Sequence, residues 1–165
     1  MYGLLWSPFL PTGNFLSWGV NHLKLWTPGN ASQGGQTYTG ATLRFGKAST
    51  HVVTAAVVLE GGTIVTGMPE GGMAVWKNNQ CVRAVPAHGK GPMVPRPDGG
   101  QTYGGLRCLR LRYDHKLLLS AGADGQVMAW DVTSGDIRCG PGNLPSCGPA
   151  TCTLNLSSRT GMSRS

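Results

Sequence analysis

The sequence predicts an all-β fold, a partial β-propeller of about three four-stranded blades with a disordered C-terminal tail. The 165 residues include 26 glycines and 11 prolines, a composition that favours many short strands joined by turns. With 40% apolar and 13% charged residues, the composition is also that of a globular domain. A third observation is a repeated segment that ends in tryptophan, at Trp26, Trp76 and Trp130.

Each copy of the repeat has the pattern of a tight hairpin, two short strands around a turn. The copies read FLSWGVNHLKLW, TIVTGMPEGGMAVW and LLLSAGADGQVMAW. A further strand is predicted before the second hairpin in HVVTAAVVLEGG and before the third in GLRCLRLRYD, and fourth strands are predicted in TLRFG and CVRAV. Residues 52–59 are almost wholly apolar, which predicts a strand covered on both faces. Four short strands per repeat are typical of a propeller blade.

Two segments interrupt this pattern and define the domain boundaries. Residues 89–105 contain three prolines and six glycines, and they predict an inserted loop with little structure of its own. Residues 1–138 are therefore predicted to form the propeller arc, with blades around the three tryptophans, which are expected in the core by their position in the repeats. Residues 139–165 lack strand alternation and are rich in Gly, Pro and Ser, so we expect a disordered tail.

The charge balance favours acidic partners. The formal net charge is +7 and the isoelectric point is near 9.5. Nucleic acid is not an expected partner, because no aromatic platform is interleaved with the cations. The glycine clusters lack the ending of a phosphate-binding loop, so no cofactor is expected.

Cysteine spacing and hydropathy exclude other classes of site. The five cysteines have no metal-ligand spacing, which predicts neither a zinc site nor a disulfide framework and favours a reducing compartment. No run of 18 apolar residues occurs, and the start of the chain lacks the pattern of a signal peptide. We therefore expect no membrane association.

The hairpins resemble WD repeats. WGVNHLKLW, the segment VVLEGGTIVTGMPEGGMAVWKNNQCVRAVPAHGKG and LLLSAGADGQVMAWD together resemble the echinoderm microtubule-associated protein-like family, over about residues 5–138. The resemblance implies a segment from the middle of a first propeller, in a region that takes part in tubulin binding. It departs from the family in lacking the upstream signature motif and the coiled coil, and about three blades are fewer than a closed ring needs. The sequence therefore resembles a fragment of such a propeller.

The resemblance also implies roles for His88, Ser120, Asp124 and Trp130. In WD repeats these residue types form a buried hydrogen-bonded chain that ties a hairpin to the preceding loop. The alternative is a hydrolase that uses the serine, histidine and aspartate. No G-x-S-x-G surrounds Ser120, which lies inside an apolar strand, so the structural network is favoured.

The other two repeats are expected to lack part of this network. The equivalent offsets give Thr66 and Glu70 before Trp76, while the first repeat has Ser17 and a shorter turn. Only the third repeat is therefore predicted to hold the complete set.

The functional prediction is a non-catalytic protein-interaction scaffold without cofactors that contacts tubulin or microtubules. The loop cations Lys90, Arg96 and Lys116 are the candidate contacts. The predicted location is cytoplasmic and cytoskeletal, on microtubules or in a cilium. The alternative is a generic WD-repeat adaptor for another protein complex, of ciliary or ligase type, because a fold does not by itself choose a partner.

Overall fold

The chain folds into three four-stranded antiparallel sheets and one two-stranded hairpin. A computed structural model describes residues 1–30, 35–46, 48, 51–95 and 99–138. The first sheet contains β1 (Gly3–Trp6), β2 (Phe15–Gly19), β3 (His22–Pro28) and β4 (Tyr38–Thr42). The second contains β5 (Ala55–Val58), β6 (Ile64–Gly67), β7 (Met73–Lys77) and β8 (Gln80–Val85). The small hairpin is β9 (Met93–Pro95) and β10 (Gln101–Tyr103), and the third sheet contains β11 (Leu106–Leu111), β12 (Leu117–Gly122), β13 (Val127–Thr133) and β14 (Asp136–Arg138).

Each four-stranded sheet is a simple meander in which consecutive strands pair with each other. Tight turns make this possible. Asn78 and Asn79, which join β7 to β8, both have positive φ angles, of 50° and 61°. Ser134 and Gly135 join β13 to β14 with φ angles of 53° and 68°. Two consecutive positive φ angles match the right-handed twist of paired strands, so these turns fix the register of the outer strands.

The second sheet is covered on both faces, as the almost wholly apolar run of residues 52–59 predicts. Every residue of β5 and β6 is buried. Side chains of the second sheet alternate between two apolar clusters, one shared with the first sheet and one shared with the third. Val57 and Val75 point to the third sheet, whereas Val58 and Trp76 point to the first. This alternation follows from the two-residue period of a strand and produces the blade-on-blade packing of a propeller.

The structure differs from the sequence prediction in the first sheet and in the insertion. The fourth strand of the first sheet is β4, which shares only Thr42 with the segment TLRFG, and β1 precedes the first hairpin. Residues 89–105 were expected to have little structure, yet they contain the hairpin β9–β10. Backbone hydrogen bonds close this segment at its base, because Gly105 N donates to Lys90 O at 2.6 Å and Gly104 N donates to Pro92 O at 2.7 Å.

The three repeated tryptophans are not equally buried. Trp76 and Trp130 are 1% and 2% exposed, while Trp26 is only half-buried. In the second and third sheets, the face that carries the tryptophan packs against the preceding sheet. The described residues contain no sheet before the first one, so the face that carries Trp26 has no such neighbour. The expectation that all three tryptophans occupy the core is therefore wrong for Trp26.

The second and third sheets are also joined at their outer strands. Arg83 Nη2 lies 2.9 Å from Asp136 Oδ1 and donates to Ile137 O at 2.8 Å.

In the part of the chain that the structure describes, there is no helix with the length and apolar character needed to span a membrane. The predicted tail, residues 139–165, lies outside the described residues.

Candidate functional site

The structure brings His88, Ser120, Asp124 and Trp130 into one hydrogen-bonded chain. Trp130 Nε1 donates to Ser120 Oγ at 2.9 Å, and Ser120 Oγ lies 2.8 Å from His88 Nε2. His88 Nδ1 lies 3.1 Å from Asp124 Oδ1. Ser120 is 1% exposed and His88 is 8% exposed, so these polar groups depend on each other for hydrogen bonds.

One arrangement of protons satisfies every member of this chain. The indole N–H donates to the serine oxygen, the serine hydroxyl donates to His88 Nε2, and His88 Nδ1–H donates to the Asp124 carboxylate. Asp124 also accepts from the backbone N–H of Gly89 at 2.9 Å and of Gln126 at 3.1 Å. Burial alone would raise the pKa of Asp124, but these two backbone donors and His88 outweigh it and lower the pKa.

His88 reaches this position because the backbone around it is held at two points. His88 N donates to Gly71 O at 2.8 Å, which ties its loop to the turn between β6 and β7. On the other side, a Cβ at Gly122 would lie 2.5 Å from both Asp124 Oδ1 and His88 Nδ1. Gly122 therefore has to lack a side chain for the imidazole and the carboxylate to meet. The chain of hydrogen bonds links the third sheet to the loop that follows the second.

The same geometry argues against nucleophilic chemistry at Ser120. A serine nucleophile needs an exposed Oγ that a substrate carbonyl can approach, with oxyanion donors beside it. Ser120 Oγ is instead buried within β12 and already hydrogen-bonded to Trp130 and His88. Among the described residues, no three His, Cys, Asp or Glu side chains are grouped as metal ligands. Cys139, Cys147 and Cys152 lie outside those residues.

The second sheet has only the inner pair of the network. Trp76 Nε1 donates to Thr66 Oγ1 at 2.8 Å. Met68 takes the position equivalent to Gly122, and its side chain is 2% exposed within the cluster shared with the first sheet. Glu70, at the position of Asp124, has a buried Oε2 with no hydrogen-bond partner among the described residues. An apolar side chain thus takes the place of the histidine and the carboxylate contact.

The first sheet contains a histidine to which the sequence analysis assigned no role. Trp26 Nε1 donates to Ser17 Oγ at 2.8 Å, and Ser17 Oγ lies 2.7 Å from His22 Nε2. The two-residue turn of Val20 and Asn21 places His22 opposite Gly19, beside Ser17 in the hairpin. Burial lowers the pKa of His22, with further contributions from Lys24 and the chain terminus. The sequence signal for His22 is the short turn, because a two-residue turn places the residue five positions after Ser17 beside Ser17 in the hairpin.

The candidate partner-binding cations lie at opposite rims of the arc. Lys116 directly precedes β12, while Lys90 is tied to the far end of that strand, because Gly105 N donates to Lys90 O and Ala123 N donates to Gly105 O at 2.7 Å. A six-residue strand spans about 20 Å. The two lysines therefore cannot contact one small surface. Arg96 lies outside the described residues.

The rim around the inserted hairpin, here called the hairpin rim, comprises residues 86–95, 99–105 and 123–126 together with Tyr2 and Arg107, which line the cavity beside that hairpin. Lys90 Nζ lies 5.0 Å from the centroid of the Tyr103 ring. A cavity of about 250 Å³ opens beside it, lined by Tyr2, Thr54, Val94, Pro95, Thr102, Tyr103, Gly104 and Arg107. Neither Lys90 nor Arg107 is paired with any of the described carboxylates. The hairpin rim therefore combines free positive charge with two tyrosine rings.

The opposite rim carries internally paired charge. Arg112 is hydrogen-bonded to Asp114 through both Nε and Nη2, with 2.8 Å between Nε and Oδ1. This contact lowers the pKa of Asp114 to about 2. Lys116 N also donates to Asp114 Oδ1 at 3.2 Å. The charges of Arg112 and, to a smaller extent, Lys116 also help to lower the pKa of Asp114.

Comparison with known proteins identifies the fold. The β-propeller domain of Cps50 (Swd1) from Myceliophteria thermophila superimposes with a TM-score of 0.51 over 73% of this chain, at 14% identity. The chain covers 36% of that structure. The fold is therefore that of a WD40 β-propeller, present here as an arc of three four-stranded sheets.

A sequence relative is the cilia- and flagella-associated protein 44 of Trypanosoma brucei brucei, which is 27% identical over 88% of this chain. The chain spans only 9% of that relative. No protein-family model matches the sequence. Membership of the echinoderm microtubule-associated protein-like family stays a prediction.

Proposed function

We propose that the chain is a non-catalytic protein-interaction scaffold of the microtubule cytoskeleton, and that its hairpin rim binds an acidic surface of tubulin. The observation that carries the proposal is the unpaired charge of Lys90 and Arg107 on a rim that also presents Tyr2 and Tyr103. Arginine and tyrosine are enriched in protein interfaces, and a net charge of +7 steers the chain toward acidic surfaces.

The similarity to a cilia- and flagella-associated protein supports a cytoskeletal location. The net charge of +7 is complementary to an acidic surface of tubulin. The geometry of the network supports the non-catalytic part of the proposal, because the serine, histidine and aspartate that resemble a catalytic set hold two sheets together.

Pelleting with polymerised microtubules tests this proposal. The chain is expected to sediment with microtubules at low salt and to be released as salt is added, since exposed charge pairs are screened. Lys90→Glu should weaken binding by about fivefold, the effect of an exposed charge pair worth roughly 1 kcal/mol. Lys116→Glu is the matched control, because it makes the same charge change on the opposite rim. Equal losses for the two variants would contradict the assignment of the hairpin rim.

A second candidate function is an adaptor within a ciliary complex that does not contact tubulin. The name of the trypanosome relative favours it, because association with cilia does not require microtubule binding. A folded chain that shows no salt-sensitive pelleting would overturn the tubulin proposal and favour this adaptor.

A further inference from the structure

The outer face of the first sheet presents a connected group of aromatic rings, here called the aromatic face: Trp6, Phe15, Trp26 and Tyr38. The ring of Phe15 lies 5.0 Å from Trp6, 5.8 Å from Trp26 and 5.1 Å from Tyr38 between centroids. Trp6 is 60% exposed and Tyr38 is 39% exposed. Such a group of exposed rings on one sheet marks a binding surface.

The other two sheets show what this face is built to contact. In each sheet a tryptophan indole donates to a serine or threonine hydroxyl, at 2.8 Å or 2.9 Å. In the second and third sheets that tryptophan is covered by the preceding sheet and is 1% and 2% exposed. Trp26 has the same hydrogen bond and the same place in its sheet, but no other sheet covers it among the described residues, and Lys24 Nζ lies over its ring at 5.6 Å. The aromatic face therefore matches the surface that receives a neighbouring sheet.

The third sheet leaves the complementary surface open. Its outer face carries Cys108, Arg110, Leu119, Ala121 and Ala129. Leu119 is 37% exposed, whereas Val65, at the equivalent position of the second sheet, is 0% exposed because the third sheet covers it. By continuity with the packing between the second and third sheets, this outer face is the surface that receives a tryptophan-bearing face.

We propose that a second copy of this chain occupies the aromatic face, with the outer face of its third sheet packed against the rings. The sizes of the side chains agree, since Ala121 and Ala129 leave room for large rings and Arg110 offers a guanidinium that stacks on aromatic faces. Two three-sheet arcs joined head to tail twice form a closed ring of six sheets. Heterologous interfaces of this kind produce rings when the rotation closes.

The proposal differs from tubulin binding in its dependence on salt. Each copy carries a net charge of +7, so two copies repel each other at low salt. The interface itself is mainly apolar. Added salt should therefore strengthen the dimer, whereas it should weaken binding to an acidic partner.

Light scattering coupled to size exclusion measures the mass directly. The expected mass is twice the 17.3 kDa of one chain, with the dimer fraction rising with protein concentration and with salt. Trp6→Ser and Leu119→Lys should each raise the dissociation constant of the dimer by about tenfold or more, as for a central interface residue. Both side chains are exposed in one copy, so the variants should still fold and the far-ultraviolet circular dichroism of the sheets should stay unchanged. Tyr113→Ser is the control, because Tyr113 is 90% exposed and lies on neither face.

Mixing the two variants tests the head-to-tail arrangement. The Trp6→Ser copy keeps an intact third sheet and the Leu119→Lys copy keeps an intact aromatic face, so their mixture regains one complete interface and part of the dimer mass. A dimer that both variants leave unchanged, or a mixture that regains no mass, would overturn the proposal. A monomer at all concentrations and salts would also overturn it, and would leave a sheet of another chain, or of a longer chain, as the occupant.

Discussion

The first and third hairpins contain the same serine and tryptophan pair but obtain their histidines from different places. In the third, His88 is 32 positions away from Ser120 and lies on the loop that follows the second sheet. In the first, His22 is five positions from Ser17 and belongs to the same hairpin. Only the third arrangement crosses from one sheet to another. The difference shows that one set of hydrogen bonds either stiffens a hairpin or holds two blades together, depending on the position of the histidine in the chain.

The two hairpins also differ in their access to water. Trp130 is 2% exposed, whereas Trp26 is half-buried and lies on the open aromatic face. An unpaired polar group is costly in a dry interior, and water replaces a lost partner at a surface. Equal changes in the two hairpins should therefore have unequal effects.

The largest effect is expected for Ser120→Ala. This change leaves the Trp130 indole N–H and His88 Nε2 without their partner in a buried site. The loss should be on the order of 3 kcal/mol in the free energy of unfolding, because each unpaired buried group costs roughly 1–3 kcal/mol. Urea denaturation followed by tryptophan fluorescence measures it.

Ser120→Thr is the matched control for this change. Thr66 makes the equivalent bond to Trp76 in the second sheet, at 2.8 Å, so a threonine hydroxyl suits the position. The threonine variant should recover most of the lost stability. If Ser120→Ala unfolds at the urea concentration of the unmodified chain, the network does not stabilise the third sheet.

A smaller loss is expected for Gly122→Ala, which tests the contact between His88 and Asp124. The added Cβ would lie 2.5 Å from Asp124 Oδ1 and His88 Nδ1, so one of these side chains must move. Overpacking of this kind costs about 1–3 kcal/mol. Gly125→Ala, with open space around its Cβ but a φ of 77°, measures the backbone cost of adding a methyl group in the same turn. Gly122 has no positive φ, so its loss is not backbone strain of this kind, and an unchanged free energy of unfolding for Gly122→Ala would contradict the close contact with the imidazole.

Ser17→Ala in the first hairpin should have a smaller effect still. It removes the partner of Trp26 and His22, and although Ser17 is itself 1% exposed, both partner side chains are half-buried and can hydrogen-bond to water instead. The expected loss is about 1 kcal/mol or less. Measured beside Ser120→Ala in the same urea series, an equal or larger loss for Ser17→Ala would reverse the proposed ranking of the two hairpins.

The sequence predicted the sheets well because their signals are local. The tryptophan-ending hairpins and the apolar strand of the second sheet each depend on neighbouring residues. The hairpin β9–β10 was missed because glycine and proline dominate its sequence, and its pairing is closed by the hydrogen bond from Gly105 to Lys90. The burial of Trp26 was overestimated because position within a repeat does not reveal whether a neighbouring sheet is present.

The site was predictable only where a family pattern supplied the spacing. His88, Ser120 and Asp124 meet across 36 positions of chain, a separation that hydrophobic periodicity cannot connect. His22 escaped notice because the pattern places the histidine before the hairpin, not inside it. The separation of Lys90 from Lys116 was also invisible, because it depends on which end of β12 each loop meets.

The smallest expected effect is a difference between the two hairpins in the pH range over which each loses stability. In the folded chain the pKa of His22 is lowered from 6.5. On acidification the unfolded chain therefore binds a proton at His22 before the folded chain does. Stability is lost as the pH falls from 6.5 through the lowered pKa. The pKa of Asp124 is lowered from 3.8, so its contribution persists to pH 3.8 and is lost below that value. The first hairpin should therefore loosen at a higher pH than the Asp124 contact does. The loss at His22 should be well under about 1 kcal/mol, because solvent screens a half-exposed imidazole.

The indole N–H signal of Trp26 in a proton–nitrogen spectrum reports this change directly, because Ser17 joins that indole to His22. Protonated Nε2 can no longer accept the serine proton, so the hydroxyl must turn and the indole signal should shift between pH 6.5 and the lowered pKa. His22→Gln keeps a hydrogen-bonding side chain without a titration in this range, so its Trp26 signal should stay constant. A Trp26 signal that titrates equally in both proteins would mean that another group drives the change, and the link between His22 and the first hairpin would fail.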